Sequence, residues 1–490
     1  AAFLKYKDFK PYVDYFNSME DENIAQAIPN ARASQWMEEN IPLFECSQKN
    51  FEEMYYYRWW TLRKHIKETP VGYGMTEFLV NRSYADKYNL IACAIGHHIY
   101  ESRWLRNPEY LNQIIHTWYR GNEGGPMAKM TKFSSWNADA VLGRYMVDGN
   151  KEFLLDMVKD LEAEYARWEK TNRLPNGLYW QGDVQDGMEE SISGGRRKQY
   201  ARPTINSYMY GNAKALSLIG IMTGDEGMAM KYGLKADSIK TLVQDKLWNT
   251  DHHFFETMRG DASAEVREAI GYIPWYFNLP DASSKYTVAW KEVMDEKGFS
   301  APYGLTTAER RHPEFRTHGV GKCEWDGAIW PFASAQTLTA MANFMNNYPQ
   351  TVLTDSVYFH QMERYVESQH HRGRPYIGEY LDEVTGYWLK GDQERSRYYN
   401  HSTFNDLMIT GLIGLRPRMD NTVEVNPLIP EGKWDYFCLD NVLYHGRNLT
   451  ILWDKDGSRY QRGKGLHIYV DGKEVGHADT LTRVLCENVL

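Results

Sequence analysis

The sequence predicts a mainly α protein: a large helical body with a small β-sandwich-like module at its C-terminal side. Three observations lead there. From Tyr84 to about Leu415, segment after segment places apolar residues three and four positions apart. The links between those segments gather Gly, Pro, Asn and Asp. After Leu415 the texture changes to short alternating runs broken by turn dipeptides.

Taken in order, residues 1–75 are mixed, with a helical stretch in NFEEMYYYRWWTLRKHI, and are expected to pack on the main body. The body itself is expected over 76–415. Its periodic segments start at Tyr84, Pro108, Ser135, Lys151, Ile205, Gly227, Ile329 and Asp355. The links, such as RLPNGLYWQGD and RGRPYIGEYLDEVTGYW, also collect Trp, Tyr and carboxylates. Helices in pairs with chemically rich loops at one end suggest an α/α toroid. Periodicity alone gives only a mostly helical protein, and no short repeat marks a solenoid. Residues 416–490 form the β-rich module, with IYVDGKEVG a hairpin turning at Asp471-Gly472.

Composition narrows the function. Aromatic residues reach 14%, with 35 Tyr and 16 Trp, and such rings stack on the apolar faces of sugars as readily as they fill a core. Net charge is −9, which argues against a nucleic-acid partner. No apolar run is long enough to span a bilayer. Five scattered cysteines without a CxxC pair argue against a disulfide scaffold and against a zinc site, and no metal or other cofactor is expected. Sequons occur at Asn81, Asn400 and Asn448.

Four loop segments stand out: DGMEES from Asp186, CEWDGAIWPF from Cys323, GEYLDEVTGYW from Gly378 and RYYNHSTFNDLMITGLIGLRP from Arg397. Glycosidic cleavage needs two carboxyl groups flanking the bond. One donates a proton to the leaving oxygen, and the other activates water or attacks the sugar. Glu189 and Glu379 meet that need on separate aromatic loops, with Asp186, Asp326 and Asp382 as rivals. A solvated turn at Asp186–Glu190 and a helix cap or an ion pair for Glu379 are the plainer readings.

The order GMEES, RPTINSYMYGNAKAL, EWDGAIWPFA, IGEYLDEVTGYW and YYNHSTFNDLMITGLIGLRP resembles the (α/α)6-barrel glycosidases of the trehalase and mannosyl-oligosaccharide glucosidase group. That group includes glycoside hydrolase families 37 and 63 and the mannosylglycerate-hydrolase-like proteins of the six-hairpin glycosidase superfamily. The resemblance spans roughly residues 84–417. It implies a closed (α/α)6 toroid and an inverting hydrolase without a metal. Glu189 falls on the acid's position, where the group has Asp, and Asp186 lies close enough to compete. Glu379 falls on the base's position. EWDGAIWPF matches a segment that lines the sugar pocket, with Asp326 in place of an Arg, so plain trehalase activity is not expected. An inverting pair stands on the order of 6.5–9.5 Å apart.

Around that pair, Glu324, Trp325, Asp326 and Trp330 are expected to shape the pocket, Asp326 as a ligand to sugar hydroxyls. His98, Trp136, Tyr376, Trp388 and His401 are further candidates, with plain core packing as the competing role for each. His97 and His98 are neighbours on a helix and point about 100° apart, which suits them poorly to one metal. The resulting expectation is an exo-acting, inverting glycoside hydrolase acting on an oligosaccharide or a polysaccharide side chain, in the periplasm or secreted. A polysaccharide lyase, a sugar epimerase and a non-catalytic sugar-binding protein are the alternatives.

Overall fold

The computed structural model describes residues 3–490. The helices run α1 (Lys10–Ser18), α2 (Asn30–Asn40), α3 (Lys49–Arg63), α4 (Ile95–Ser102), α5 (Pro108–Arg120), α6 (Asn137–Asp148), α7 (Lys151–Asp156) and α8 (Val158–Asn172). They continue with α9 (Pro203–Thr223), α10 (Glu226–Leu242), α11 (Ile273–Tyr276), α12 (Ser284–Thr287), α13 (Pro331–Asn347), α14 (Asp355–Ser368) and α15 (Phe404–Leu407).

Six of these form an inner ring. Contacts run α4 to α6, α6 to α9, α9 to α11, α11 to α13, α13 to α15, and α15 back to α4. The inner helices are apolar on most sides, as burial demands; α9 is buried along nearly its whole length. Pro203 and Pro331 open α9 and α13, where a missing N–H costs nothing. Outer helices pack behind them: α10 and α8 lie on α9, and α14 lies on α13. This is the (α/α)6 toroid.

Close approach between the first two inner helices rests on one glycine. A Cβ added at Gly96 would sit 2.2 Å from the Trp136 ring. Ring closure between α4 and α15 is polar. Glu101 accepts from the backbone N–H groups of Asn405 (3.1 Å) and Asp406 (2.7 Å), capping the start of α15. Arg58 of α3 donates to Glu101 at 3.0 Å and to Asn400 Oδ1 at 2.7 Å.

The N-terminal stretch does more than pack on the body. Helix α3 lies against α14 and α15 as an outer helix. Strand Leu43–Cys46 pairs with Tyr436–Tyr444 at the edge of the C-terminal sheet. That five-stranded antiparallel sheet continues through Arg447–Asp454, Gly465–Val470 and Lys473–Ala478. Its last hairpin turns on Asp471-Gly472, both at positive φ, as the sequence marks it. A second, three-stranded sheet joins Leu415–Arg416, Val423–Val425 and Val484–Cys486.

Two predicted helices differ. The segment from Tyr84 is irregular until Ile95, because Tyr88 and Asn89 adopt left-handed backbone and Asn89 bonds back to the carbonyls of Phe78 and Val80. The segment from Lys151 breaks at Met157 into α7 and α8.

Candidate active site

The loops that precede the inner helices gather at one mouth of the toroid. The loop before α9 carries Glu189, and the loop before α15 carries Glu379. In a ring of six, the third and sixth members stand opposite, so the two loops face each other across the mouth. Their carboxyl groups act electrostatically on each other, on Glu77 and on Cys323.

Glu189 keeps part of its surface open amid densely packed protein. Burial, reinforced by the charges of Asp183 and Glu379, raises its pKa to about 7. A carboxyl with that value is about half protonated at neutrality and able to donate. Asp183 is itself buried; it accepts from Ser191 Oγ at 3.3 Å and leaves Oδ1 without a partner. Glu379 is 3% exposed. Ser396 Oγ donates to its Oε1 at 2.8 Å, and Arg395 stands 3.7 Å away.

Asp186 is a different case. Its Oδ1 accepts from Ser134, and its Oδ2 from Arg202 Nε (2.7 Å) and Thr204 Oγ1 (2.6 Å). Both its side chain and that of Arg202 are fully buried. Both oxygens are engaged, so Asp186 anchors the loop to the start of α9 and is not free to act as the acid. Gly187, at φ 73°, turns the chain between the anchor and Glu189.

The EWDGAIWPF loop contributes mainly its rings. Trp325 stacks on Trp330 at 4.7 Å, and Trp330 on Tyr380 at 4.5 Å. Asp326 is fully buried and accepts from the backbone N–H groups of His318 (3.0 Å) and Gly319 (2.8 Å). Both of those bonds go to Oδ2, and Oδ1 has no partner among the described residues. Glu324 is likewise held by Arg316 at 3.0 Å. Asp382 caps its own turn through the N–H groups of Val384 and Thr385.

Several aromatic candidates belong to packing. Trp136 is buried in the ring, with Nε1 donating to Tyr276 OH at 3.0 Å. Trp388 donates to the carbonyls of Ser368 and His370, and Tyr376 to that of Gly391, so both pin the last loop to itself. His98 is buried with Nε2 2.6 Å from the Asn400 carbonyl oxygen, and burial pushes its pKa down to about 4. His401 is buried 3.9 Å from the Tyr399 ring, with Nε2 unpartnered among the described residues; burial holds it neutral. Asn400 is fully buried, which closes its sequon to modification.

Sequence reasoning missed Glu77, Asp183, Tyr399, Ser396 and Cys323. Burial and the two neighbouring carboxylates push the Cys323 thiol up to about 12. Beside Glu189 opens a cleft of about 410 Å³ lined by Asp183, Glu190, Ser191, Arg196, Glu314 and His318. A larger one, about 620 Å³, lies at the opposite mouth, where Asp406 is locked to Arg103 and Asp139 to Tyr100.

Comparison with known proteins agrees with this architecture. The profile of the mannosylglycerate hydrolase MGH1-like glycoside hydrolase domain matches residues 87–402, and that of the glycosyl hydrolase family 65 C-terminal domain matches 415–477. A solved protein named "Sialidase" superposes with a TM-score of 0.99 at 84% identity, over 100% of this chain and 45% of that one. The chain thus spans less than half the length of that relative. A family 63 mannosylglycerate hydrolase from Thermus thermophilus, solved with Tris and D-glycerate, has a TM-score of 0.57 at 11% identity, covering 73% of this chain and 100% of its own. A family 78 rhamnosidase of a Bacillus species has a TM-score of 0.54 at 12% identity, covering 84% of this chain and 40% of its own. These last two share the fold alone. With the toroid, the paired loops and a family profile over most of its length, the chain belongs to the MGH1-like glycoside hydrolases.

Proposed function

We propose that the protein is an exo-acting, inverting glycoside hydrolase that removes one terminal sugar from a glycan. Glu189 protonates the leaving oxygen as the glycosidic bond breaks. Glu379 takes a proton from the water that attacks the anomeric carbon from the opposite face. The observation that carries this reading is the contrast across the mouth: Glu189 is pushed to about 7, while Glu379 is held by Ser396 and lies near Arg395. A carboxyl able to donate and a second carboxyl held in place across the mouth are the two groups the reaction needs.

The stacked Trp325, Trp330 and Tyr380 rings on the neighbouring loops suit the apolar face of a sugar ring. The relative named "Sialidase" suggests a second reading, cleavage of an acidic sugar. A carboxylate acting as base at Glu379 would repel a sugar carboxylate at the reacting position, so a neutral sugar fits better. Lyase chemistry on a uronate fits poorly for the same reason. Export to the periplasm or beyond, the usual place for glycan degradation, is part of the proposal.

Purified protein should be screened against a panel of p-nitrophenyl glycosides and oligosaccharides, with released monosaccharide as the readout. Release of one neutral sugar supports the reading. Release of an acidic sugar, or an ultraviolet-absorbing unsaturated product, overturns it.

A further inference from the structure

A third carboxyl reaches the site from the N-terminal side of the toroid. Glu77 is 3% exposed and lies between strand Gly72–Met75 and α4. Its backbone is fastened to the loop before α15: Asn400 N donates to the Glu77 carbonyl at 2.9 Å, and Asn400 Nδ2 to that of Thr76 at 3.0 Å. Its side chain has two neutral partners. Tyr399 OH donates to Oε1 at 2.7 Å, and Cys93 Sγ to Oε2 at 3.2 Å.

Other buried carboxyls of this barrel have evident structural duties. Glu101 and Asp186 are paired with buried arginines. Glu164 accepts from Tyr119 and Asn137 in the outer layer. Glu77 instead shares its surroundings with Glu379 and Glu189, whose charges oppose its own ionisation. Keeping a carboxyl beside two others, with only neutral donors on its own oxygens, is costly for a purely structural group.

We propose that Glu77 is a substrate-contacting residue: its carboxyl, fixed in plane by Tyr399 and Cys93, hydrogen-bonds a hydroxyl of the terminal sugar on the Glu379 side of the pocket. The side follows from the ring, because α4 adjoins α15. Two donors leave acceptor capacity unused. Burial, with the nearby carboxylates, raises the group to about 7, so on the alkaline side of neutrality it accepts from the sugar hydroxyl as a carboxylate. The recognised class is a neutral sugar with a free hydroxyl at that position. Glu77 lies ahead of the matched segment 87–402, outside the family profile. The proposal rests on the glycosidase reading above.

The test is Glu77→Gln beside Tyr399→Phe, on a series of aryl glycosides of increasing leaving-group pKa that the wild type cleaves. Glu77→Gln should lower kcat/KM by about 10–100-fold, the loss of a hydrogen bond to a charged group. The factor should be the same for good and poor leaving groups, with the melting temperature preserved. Tyr399→Phe should give a smaller loss of the same kind and stands in if Glu77→Gln does not fold. A kcat/KM within twofold of wild type overturns the proposal. So does a loss that grows with leaving-group pKa, which would make Glu77 the acid. Absence of turnover by the wild type counts against hydrolysis rather than against Glu77. In that event, calorimetry with glucose, mannose, rhamnose and arabinose decides: binding lost in Glu77→Gln supports the contact, and equal binding or none overturns it.

Discussion

Arg202 Nε lies 2.7 Å from Asp186 Oδ2, and neither side chain is open to solvent. This pair ties the loop that carries Glu189 to the first turn of α9. Removing the charge of one partner strands the other in a low-dielectric interior. Asp186→Asn should therefore destabilise the protein by about 3–5 kcal/mol, as breaking a buried pair does. Folded Asp186→Asn should retain a leaving-group dependence like that of the wild type, because the acid remains. Denaturant unfolding and aryl glycoside kinetics on the same sample check both halves.

Glu189→Gln should behave differently. The fold should persist, and turnover of substrates with poor leaving groups should fall by roughly 10²–10⁴, the usual contribution of a general acid. Activated aryl glycosides should lose less, since their leaving oxygen needs no proton. The wild-type kcat/KM should decline with pH around 7 as Glu189 ionises. That alkaline limb should vanish in Glu189→Gln, and a limb that stays in place would assign it to another group.

Glu379→Gln should lower turnover by roughly 10²–10⁴ for every leaving group, since water activation is lost whatever departs. Ser396→Ala removes one hydrogen bond to the base and should cost about tenfold. Steady-state kinetics on both variants check this.

Stability should depend on pH in a direction fixed by burial. Glu77, Glu101, Asp139, Glu164 and Glu189 are all pushed to about 7, above their ordinary values. The folded state therefore holds more protons than the unfolded state below 7, and stability falls as pH rises through that window. His65, His97, His98 and His401 are held below 6.5 by burial and act oppositely, but only once the unfolded chain takes up protons below about 6.5. Between pH 8 and 6.5 the carboxyls act first, so the melting temperature should rise on acidification over that range. Scanning calorimetry at steps of half a pH unit would reveal a fall instead.

The sequence made the paired helices and the two facing carboxylates legible, because a 3.6-residue period and carboxyl-bearing aromatic loops are local signals. What it left obscure depends on distant contacts. Glu77 sits in an aperiodic stretch, and its partner Tyr399 lies 322 residues away. Asp186 and Glu189 are three residues apart, and only the turn at Gly187 sends one to Arg202 and the other to the mouth. Trp136, Trp388 and His98 resemble pocket walls by type and neighbourhood. Their hydrogen bonds inside the ring and the last loop show them to be packing residues. Asp326 is divided: a carboxylate in an aromatic loop can serve a sugar hydroxyl or its own backbone N–H groups, and here the backbone takes Oδ2 while Oδ1 has no partner among the described residues.

The central claim is that Glu189 and Glu379 act as acid and base on opposite faces of one sugar. Proton NMR of the first-formed product, recorded before the anomers equilibrate, tests it most directly. The account predicts that the released sugar appears with inverted anomeric configuration. Retention would contradict it, and would make Glu379 a nucleophile on a covalent path.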